Sequence, residues 1–383
     1  MRDPSQAPRR ASDKEVRFRL CDDGRHEHDL DGGRRPQGFF DSLQNILGWG
    51  KSKAKEPSDR EPLIKKSPKD RENYGCRSQK SPPEIKALEH STSPLTDRYG
   101  SYQELIGRGS SGTVRISWKV GSTGHKQFFA VKQFKQRPQE STKKYLKRVA
   151  SEFCISSSLQ HPNVVRTLDL LQDSRGDFCE VMEYYGGGDV YTRVRTARKL
   201  APEEANCYFK QLMRGIAYLH RTGVAHRDLK PDNLLLTRRG AVKIADFGNA
   251  ECFRFAWEDE PRATQGLCGS FPYISPEQYG KEDFDARAVD IWAAGVIYMD
   301  MRTGRHLWRF AYPDKDCRYC DYIHERAQEG GYGPIEALEE TCCRNVIYSM
   351  LDPRWYRRLS ASEILRSEWV VGITVCDAGE RGL

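Results

Sequence analysis

His226-Arg227-Asp228-Leu229-Lys230-Pro231-Asp232-Asn233, followed by Asp246-Phe247-Gly248, is the stretch on which the reading of this chain turns. Transfer of a phosphoryl group to an alcohol needs a carboxylate to take the hydroxyl proton, hard oxygen ligands for a divalent cation, and a positive charge beside the moving group. Asp228, the Asn233 and Asp246 pair, and Lys230 offer these in turn. A chance coincidence of so many matches in this order is well under about 1%.

Upstream, Gly107-Arg108-Gly109-Ser110-Ser111-Gly112-Thr113-Val114 joins two strand-like segments. Glycines let a backbone turn bring its N–H groups to phosphate oxygens. Taken alone the motif is more often an ordinary glycine turn. A dinucleotide fold places its G-x-G-x-x-G between a strand and a helix, whereas Thr113 and Val114 here are β-branched and continue a strand. Next come Ala130-Val131-Lys132 on a third strand and Glu152 in a helix that Ser141 would cap. An ammonium fixed by a helix carboxylate is a point charge suited to phosphates, worth about 4 kcal/mol at 4 Å and intermediate dielectric before desolvation.

Strands are predicted over 102–107, 113–119 and 127–134, and a helix follows through Tyr145, Val149, Phe153 and Ile155 to just before His161-Pro162. Beyond Gly186 the period turns helical, clearest in Ala205, Tyr208, Phe209, Leu212, Met213, Ile216 and Leu219. Strands first and helices second favour an α+β fold, a small sheet-rich lobe and a larger helical lobe, over a doubly wound sheet.

The chain has 383 residues, 38% of them hydrophobic, and a formal net charge of +8. Residues 1–97 are mostly polar, charged and Pro-rich, and are expected to form a disordered arm. Within it Gly38–Gly50 (GFFDSLQNILGWG) is either a short docking helix or an unstructured apolar spot, and Ser67, Ser81 and Ser93 each precede a proline. Mixed charge signs and the absence of a basic stripe interleaved with aromatics argue against nucleic acid as a partner. Twelve scattered cysteines, with no secretory signal, read as reduced thiols in the cytosol. Cys317 and Cys320 form one C-x-x-C, but Cys342 and Cys343 are adjacent and do not complete a zinc ribbon. No apolar run approaches the roughly 20 residues of a membrane span.

Over Tyr99–Val371 the motif set resembles the eukaryotic protein kinases, and the roles of its residues follow from that resemblance. It implies a bilobal kinase domain over 98–371, with the small lobe to about 182, a hinge at 183–189, the large lobe at 190–371 and a tail at 372–383. ATP and Mg2+ are implied, with Mn2+ as an alternative ion. The nucleotide site would comprise Ile106, Gly107, Arg108, Gly109, Ser110, Ser111, Gly112, Thr113, Val114, Ala130, Lys132, Glu152, the gatekeeper Met182, hinge residues Glu183 and Tyr185, the ribose-facing Asp189, and Asp246. Asp228, Lys230 and Asn233 would be catalytic, with Asn233 and Asp246 on the metal. Asp290 looks like the brace of the catalytic loop, and Arg358 like the partner of Glu277. Lys230 and Ser270 resemble the serine/threonine kinases. The alternatives are a pseudokinase scaffold, which would need Lys132, Asp228 or Asp246 to be missing, and a membrane-associated adaptor whose N-terminal arm does the work while the kinase core only positions it.

Three further stretches, 151–159 (SEFCISSSL), 246–253 (DFGNAECF) and 342–347 (CCRNVI), resemble the fungal halotolerance kinases. That resemblance implies a cytoplasmic enzyme, peripheral to the plasma membrane at most, that regulates potassium and nutrient transporters or their regulators. Two departures leave alternatives open. Gly266 occupies the position where many kinases carry a phosphorylatable threonine, so the activation segment is either ordered without phosphate or controlled through Thr264. Asp232, with Asp189, either faces basic residues upstream of the acceptor, or Asp232 is solvated while Asp189 meets ribose.

Overall fold

The computed structural model describes residues 17–30, 95–109 and 112–383. Gly38–Gly50, Ser67, Ser81, Ser93, Ser110 and Ser111 lie outside the described residues. In chain order the first elements are strands β1 (Phe18–Leu20) and β2 (His26–His28), helix α1 (Leu95–Tyr99), strands β3 (Tyr102–Gly109), β4 (Gly112–Val120) and β5 (Lys126–Phe134), and helix α2 (Thr142–Ser158). Strands β6 (Thr167–Gln172) and β7 (Phe178–Glu183) complete an antiparallel sheet in the order β3-β4-β5-β7-β6. Its core is built from Leu95, Tyr99, Phe129, Val131, Leu171, Cys179 and Val181. Ser141 caps α2 as expected, its hydroxyl accepting from Lys144 N at 3.4 Å.

The buried face of α2 carries Tyr145, Val149, Glu152 and Ser156. Phe153 and Ile155, apolar residues of the same helix, are half-buried. A helix face is set by the 3.6-residue period, and here that period selects a carboxylate and a hydroxyl.

After the 184–189 connection the chain is helical: α3 (Val190–Ala197), α4 (Pro202–Arg221) and, past the short strands β8 (Val224–Ala225), β9 (Leu234–Leu236), β10 (Val242–Ile244) and β11 (Glu251–Cys252), α5 (Ala286–Thr303). All seven apolar positions expected on α4 are buried. Helix α5 is buried on almost every side, from Ala286 to Met301, because Trp308, Tyr319 and Trp369 close around the helical core. Beyond α5 come α6 (Cys317–Glu325), α7 (Gly333–Glu336), α8 (Thr341–Met350), α9 (Ala361–Arg366), α10 (Glu368–Gly372) and α11 (Asp377–Arg381). Among the described residues, no helix is long and apolar enough to cross a membrane.

Two expected boundaries change. Residues 17–30, read as part of a disordered arm, form an antiparallel hairpin in which Phe18 pairs with His28, and Leu30 N donates to Arg238 O at 2.9 Å. The segment 372–383, read as a tail, is packed: Lys243 Nζ donates to Gly382 O at 2.8 Å, and the Arg214 guanidinium donates to both carboxylate oxygens of Glu380 at 3.0 Å. Neither segment has an apolar period of its own, because both draw their order from the large lobe.

The expected Glu277–Arg358 partnership is a bidentate ion pair at 2.8 and 2.7 Å, with the guanidinium 4.8 Å from the Trp292 ring centroid. Arg358 also donates to Asp352 O and Ala288 O, each at 2.8 Å. Removing one partner of such a pair strands a buried charge. Arg358→Ala is therefore expected to destabilise the large lobe by about 3–5 kcal/mol, read as a lowered midpoint in urea unfolding; an unchanged midpoint would contradict this role.

Candidate active site

Strand register places Lys132 opposite Val114 on β4 and Glu180 on β7, and Ala130 opposite Met182. Helix α2 brings Glu152 to the same point. Lys132 Nζ lies 2.5 Å from Glu152 Oε1 and 2.6 Å from Asp246 Oδ1. Glu180, fully inside, accepts from Ser156 Oγ at 2.5 Å and Thr167 Oγ1 at 3.3 Å. Burial would discharge the Lys132 ammonium, but Asp246, Glu152 and Glu180 together hold it above its ordinary range. Burial likewise pushes Glu180 up, and it lifts Glu152 to about 7 against the pull of Lys132. Asp246 goes the other way, to about 2, because the Lys132 charge and hydrogen bond overcome burial. Glu152 Oε2 has no hydrogen-bond partner, which suits a carboxyl near its protonation point.

Asp290, wholly buried on α5, accepts from the backbone N–H groups of His226 at 2.9 Å and Arg227 at 2.8 Å, and from the His220 ring at 2.9 Å. It thereby pins the turn that carries Asp228. One Asp228 oxygen accepts from Ser270 Oγ at 2.8 Å and the other from Asn249 Nδ2 at 3.1 Å. Lys230 Nζ donates to Ser270 Oγ at 2.8 Å and lies 3.7 Å from Asp228 Oδ2. Asn233 Nδ2 donates to Asp228 O at 2.8 Å. Arg227 and Asp246 both hold positive φ, 63° and 67°, at a cost of about 1–3 kcal/mol each for non-glycine residues.

Arg227 Nη1 donates to Glu251 Oε2 at 2.5 Å, and Nη2 to the carbonyls of Gln265 and Gly266 at 3.4 and 3.3 Å. Thr264 is buried, its hydroxyl donates to Glu251 Oε2 at 2.7 Å, and its backbone pairs with Phe284. Arg227 and Thr264 thus share one acidic partner from the chain itself, Glu251. Gly266 has φ +88° with no atom near its missing Cβ; a threonine there would be strained by the backbone and not by its neighbours.

Most of the expected nucleotide residues converge. Ile106, Gly107 and Arg108 lie on β3 and Gly112, Thr113 and Val114 on the β4 strand paired with it, with Ala130 and Lys132 on the next strand, β5. Glu183 ends β7, where its carboxylate accepts from the Tyr185 hydroxyl at 2.9 Å. Asp189 Oδ1 caps α3, accepting from Thr192 N at 2.6 Å, while Asp232 stays exposed. Of these two acids, Asp232 is the one offered at the surface. Sequence reasoning missed the roles of Asn249, Glu180 and Glu251. Asn249 had a signal, since it directly follows Asp246-Phe247-Gly248; Glu180 and Glu251 had none, because each is defined by what lies across the fold.

Residues 101–370 match the protein kinase domain family. This chain belongs to the protein kinase family. The kinase is 50% identical to the serine/threonine-protein kinase hal4 of Schizosaccharomyces pombe, an alignment covering 97% of this chain and 59% of that protein. It is 45% identical to the serine/threonine-protein kinase HAL4/SAT4 of Saccharomyces cerevisiae, over 95% of this chain and 68% of that protein. A probable HAL5-like serine/threonine-protein kinase of Vanderwaltozyma polyspora is 34% identical over 79% of this chain and 44% of its own length. The kinase thus spans about 59% of the first of these relatives and less than half of the last.

Two outcomes follow from this geometry. Glu152 must be ionised to hold Lys132, so kcat/KM for ATP should fall as pH drops through about 7. Glu180→Gln removes a buried negative neighbour, eases ionisation of Glu152 and should move that acidic limb to lower pH; a limb that stays in place contradicts the shared cluster. In the activation segment, Thr264→Ala loses one hydrogen bond and should cost at most about fivefold in turnover. Glu251→Ala strands Arg227 and should cost about ten- to a hundredfold, and an inactive Thr264→Ala with normal Glu251→Ala would reverse the assignment.

Proposed function

We propose that this kinase transfers the γ-phosphate of ATP to serine and threonine hydroxyls of proteins, acting on potassium and nutrient transporters or the proteins that regulate them. The observation that carries the reading is the Asp228 carboxylate, oriented through both oxygens by Asn249 and Ser270 on a turn fixed by Asp290. A carboxylate held this way can take the proton of an incoming hydroxyl without reorienting. Lys230, bonded to Ser270 and near Asp228, adds positive charge where the phosphoryl group would move.

The donor set suits a hard divalent ion. The Asp246 side chain is 43% exposed even while it bonds Lys132, and Asn233 uses its N–H on Asp228 O, leaving its carbonyl oxygen as a ligand. Mg2+ or Mn2+ bound there would draw charge from the phosphate oxygens of ATP. Lys132, kept charged by its acids, would neutralise the nearer phosphates, and the apolar Ile106, Val114, Ala130 and Met182 would face the adenine. The glycine turn at 107–112 supports phosphate contacts by backbone N–H groups. The link to transporters and salt tolerance, and a cytoplasmic location peripheral to the plasma membrane, rest on the likeness to the halotolerance kinases.

The test is phosphoamino-acid analysis of protein labelled by the purified kinase with γ-labelled ATP and Mg2+. Phosphoserine and phosphothreonine are expected, and Asp228→Ala should lower transfer by about a hundred- to ten-thousandfold. Phosphotyrosine as the main product, or unchanged transfer in the variant, would refute the reading.

A further inference from the structure

A second cluster lies far from the nucleotide cleft in sequence and chemistry. His26 and His28 on β2, Cys207 on α4 and Cys376 before α11 are all buried, and one ligand atom from each lies within 4.8 Å of every other. Positions 26 and 28 share one face of the strand because side chains alternate. Nε2 of both histidines is buried without a hydrogen-bond partner. Two orphaned imidazole nitrogens beside two thiols make a costly arrangement for a core, since buried polar atoms are normally satisfied.

We propose that His26, His28, Cys207 and Cys376 form a structural zinc site that fastens the N-terminal hairpin and the C-terminal segment to the large lobe. Two thiolates and two neutral imidazoles are a common structural zinc set, and their charge balances that of Zn2+. A tetrahedral ion at about 2.0–2.3 Å from its ligands needs them roughly 3.3–3.8 Å apart, so the cage closes when the separations shorten by at most about 1.5 Å. Four protein ligands and burial leave no open position, which marks the site as structural and not catalytic.

The surroundings are those of a metal site. His28 Nδ1 lies 2.9 Å from the Tyr208 hydroxyl, which donates to Glu204 at 3.4 Å, and Glu204 accepts from Arg193 at 2.7 Å. With Nδ1 engaged by Tyr208, Nε2 is the ligating nitrogen of His28. Cys207 Sγ accepts from Gln211 Nε2 at 3.4 Å, and Cys376 Sγ from Gly379 N at 3.3 Å. A Cβ on Gly240 would lie 2.5 Å from the His28 ring, so only glycine at this turn, with φ +89°, lets the hairpin come so close. Strands of three residues do not sustain a hairpin in water, and metal binding supplies the missing folding free energy. The sequence concealed the set, since its four members span most of the chain and the visible C-x-x-C at Cys317 and Cys320 is not part of it.

The experiment is elemental analysis of the full chain purified under reducing conditions from zinc-replete medium, with cobalt substitution as a second readout on the unmutated protein. About one zinc per chain is expected, as is a thiolate-to-cobalt charge-transfer band with tetrahedral d–d bands in the cobalt form. His26→Asn and Cys376→Ser should each lose at least about ninety per cent of the metal, while Cys317→Ser with Cys320→Ser keeps it. Wild-type protein without zinc and without the cobalt band, a Cys207–Cys376 disulfide in place of metal, or zinc that survives both ligand substitutions would overturn the proposal.

Discussion

A buried ammonium is the constraint on which the rest of this kinase depends. Lys132 sits where water cannot solvate it, and a charge removed from water costs several kcal/mol unless the fold supplies opposite charge. Glu152 comes from a helix, Glu180 from the neighbouring strand, and Asp246 from the loop after β10. The ion pairs therefore form only when the sheet, α2 and the segment at Asp246 are all in place. Three acids surround one lysine: burial pushes Glu180 up and lifts Glu152 to about 7, while the Lys132 charge and hydrogen bond hold Asp246 down at about 2. Asp246 is thus the acid of the cluster that the lysine holds ionised.

The turn that carries Asp228 is fixed by a buried carboxylate on α5. Asp290 holds two successive backbone N–H groups, and so stabilises the positive φ of Arg227 next to Asp228. Arg227 then reaches Glu251, which also receives the Thr264 hydroxyl. These links tie Thr264, Gln265 and Gly266 to Arg227 and Glu251. Glu277 and Arg358 tie the far end of that segment to α5 and the Trp292 ring. The strain at Arg227 and Asp246 persists because several independent contacts over-determine each.

Much of this was legible in the sequence, and the reason is local. The order of Gly107 to Val114, Lys132, Glu152, Asp228, Asn233 and Asp246 places chemistry on a linear string, and the three-and-four period from Ala205 to Leu219 reports the buried face of α4 without outside help. The β-rich segments were legible to within a residue or two because glycine turns bound them. What escaped is what the fold makes by bringing distant residues together. Glu180 reads as one polar residue in a strand, and only the register opposite Lys132 gives it meaning. Residues 17–30 read as a polar arm, because His26 and His28 carry no apolar signal and their packing partners, Tyr208 and Cys376, lie far along the chain.

The central claim is that Lys132 and Glu152 act as one unit inside the acid cluster. A double-mutant cycle on Lys132→Met and Glu152→Gln, read as kcat/KM for ATP on folded protein, tests this most directly. If the two residues work as a pair, the double variant loses no more than the worse single variant. Losses that multiply, each residue contributing independently of the other, would contradict the account.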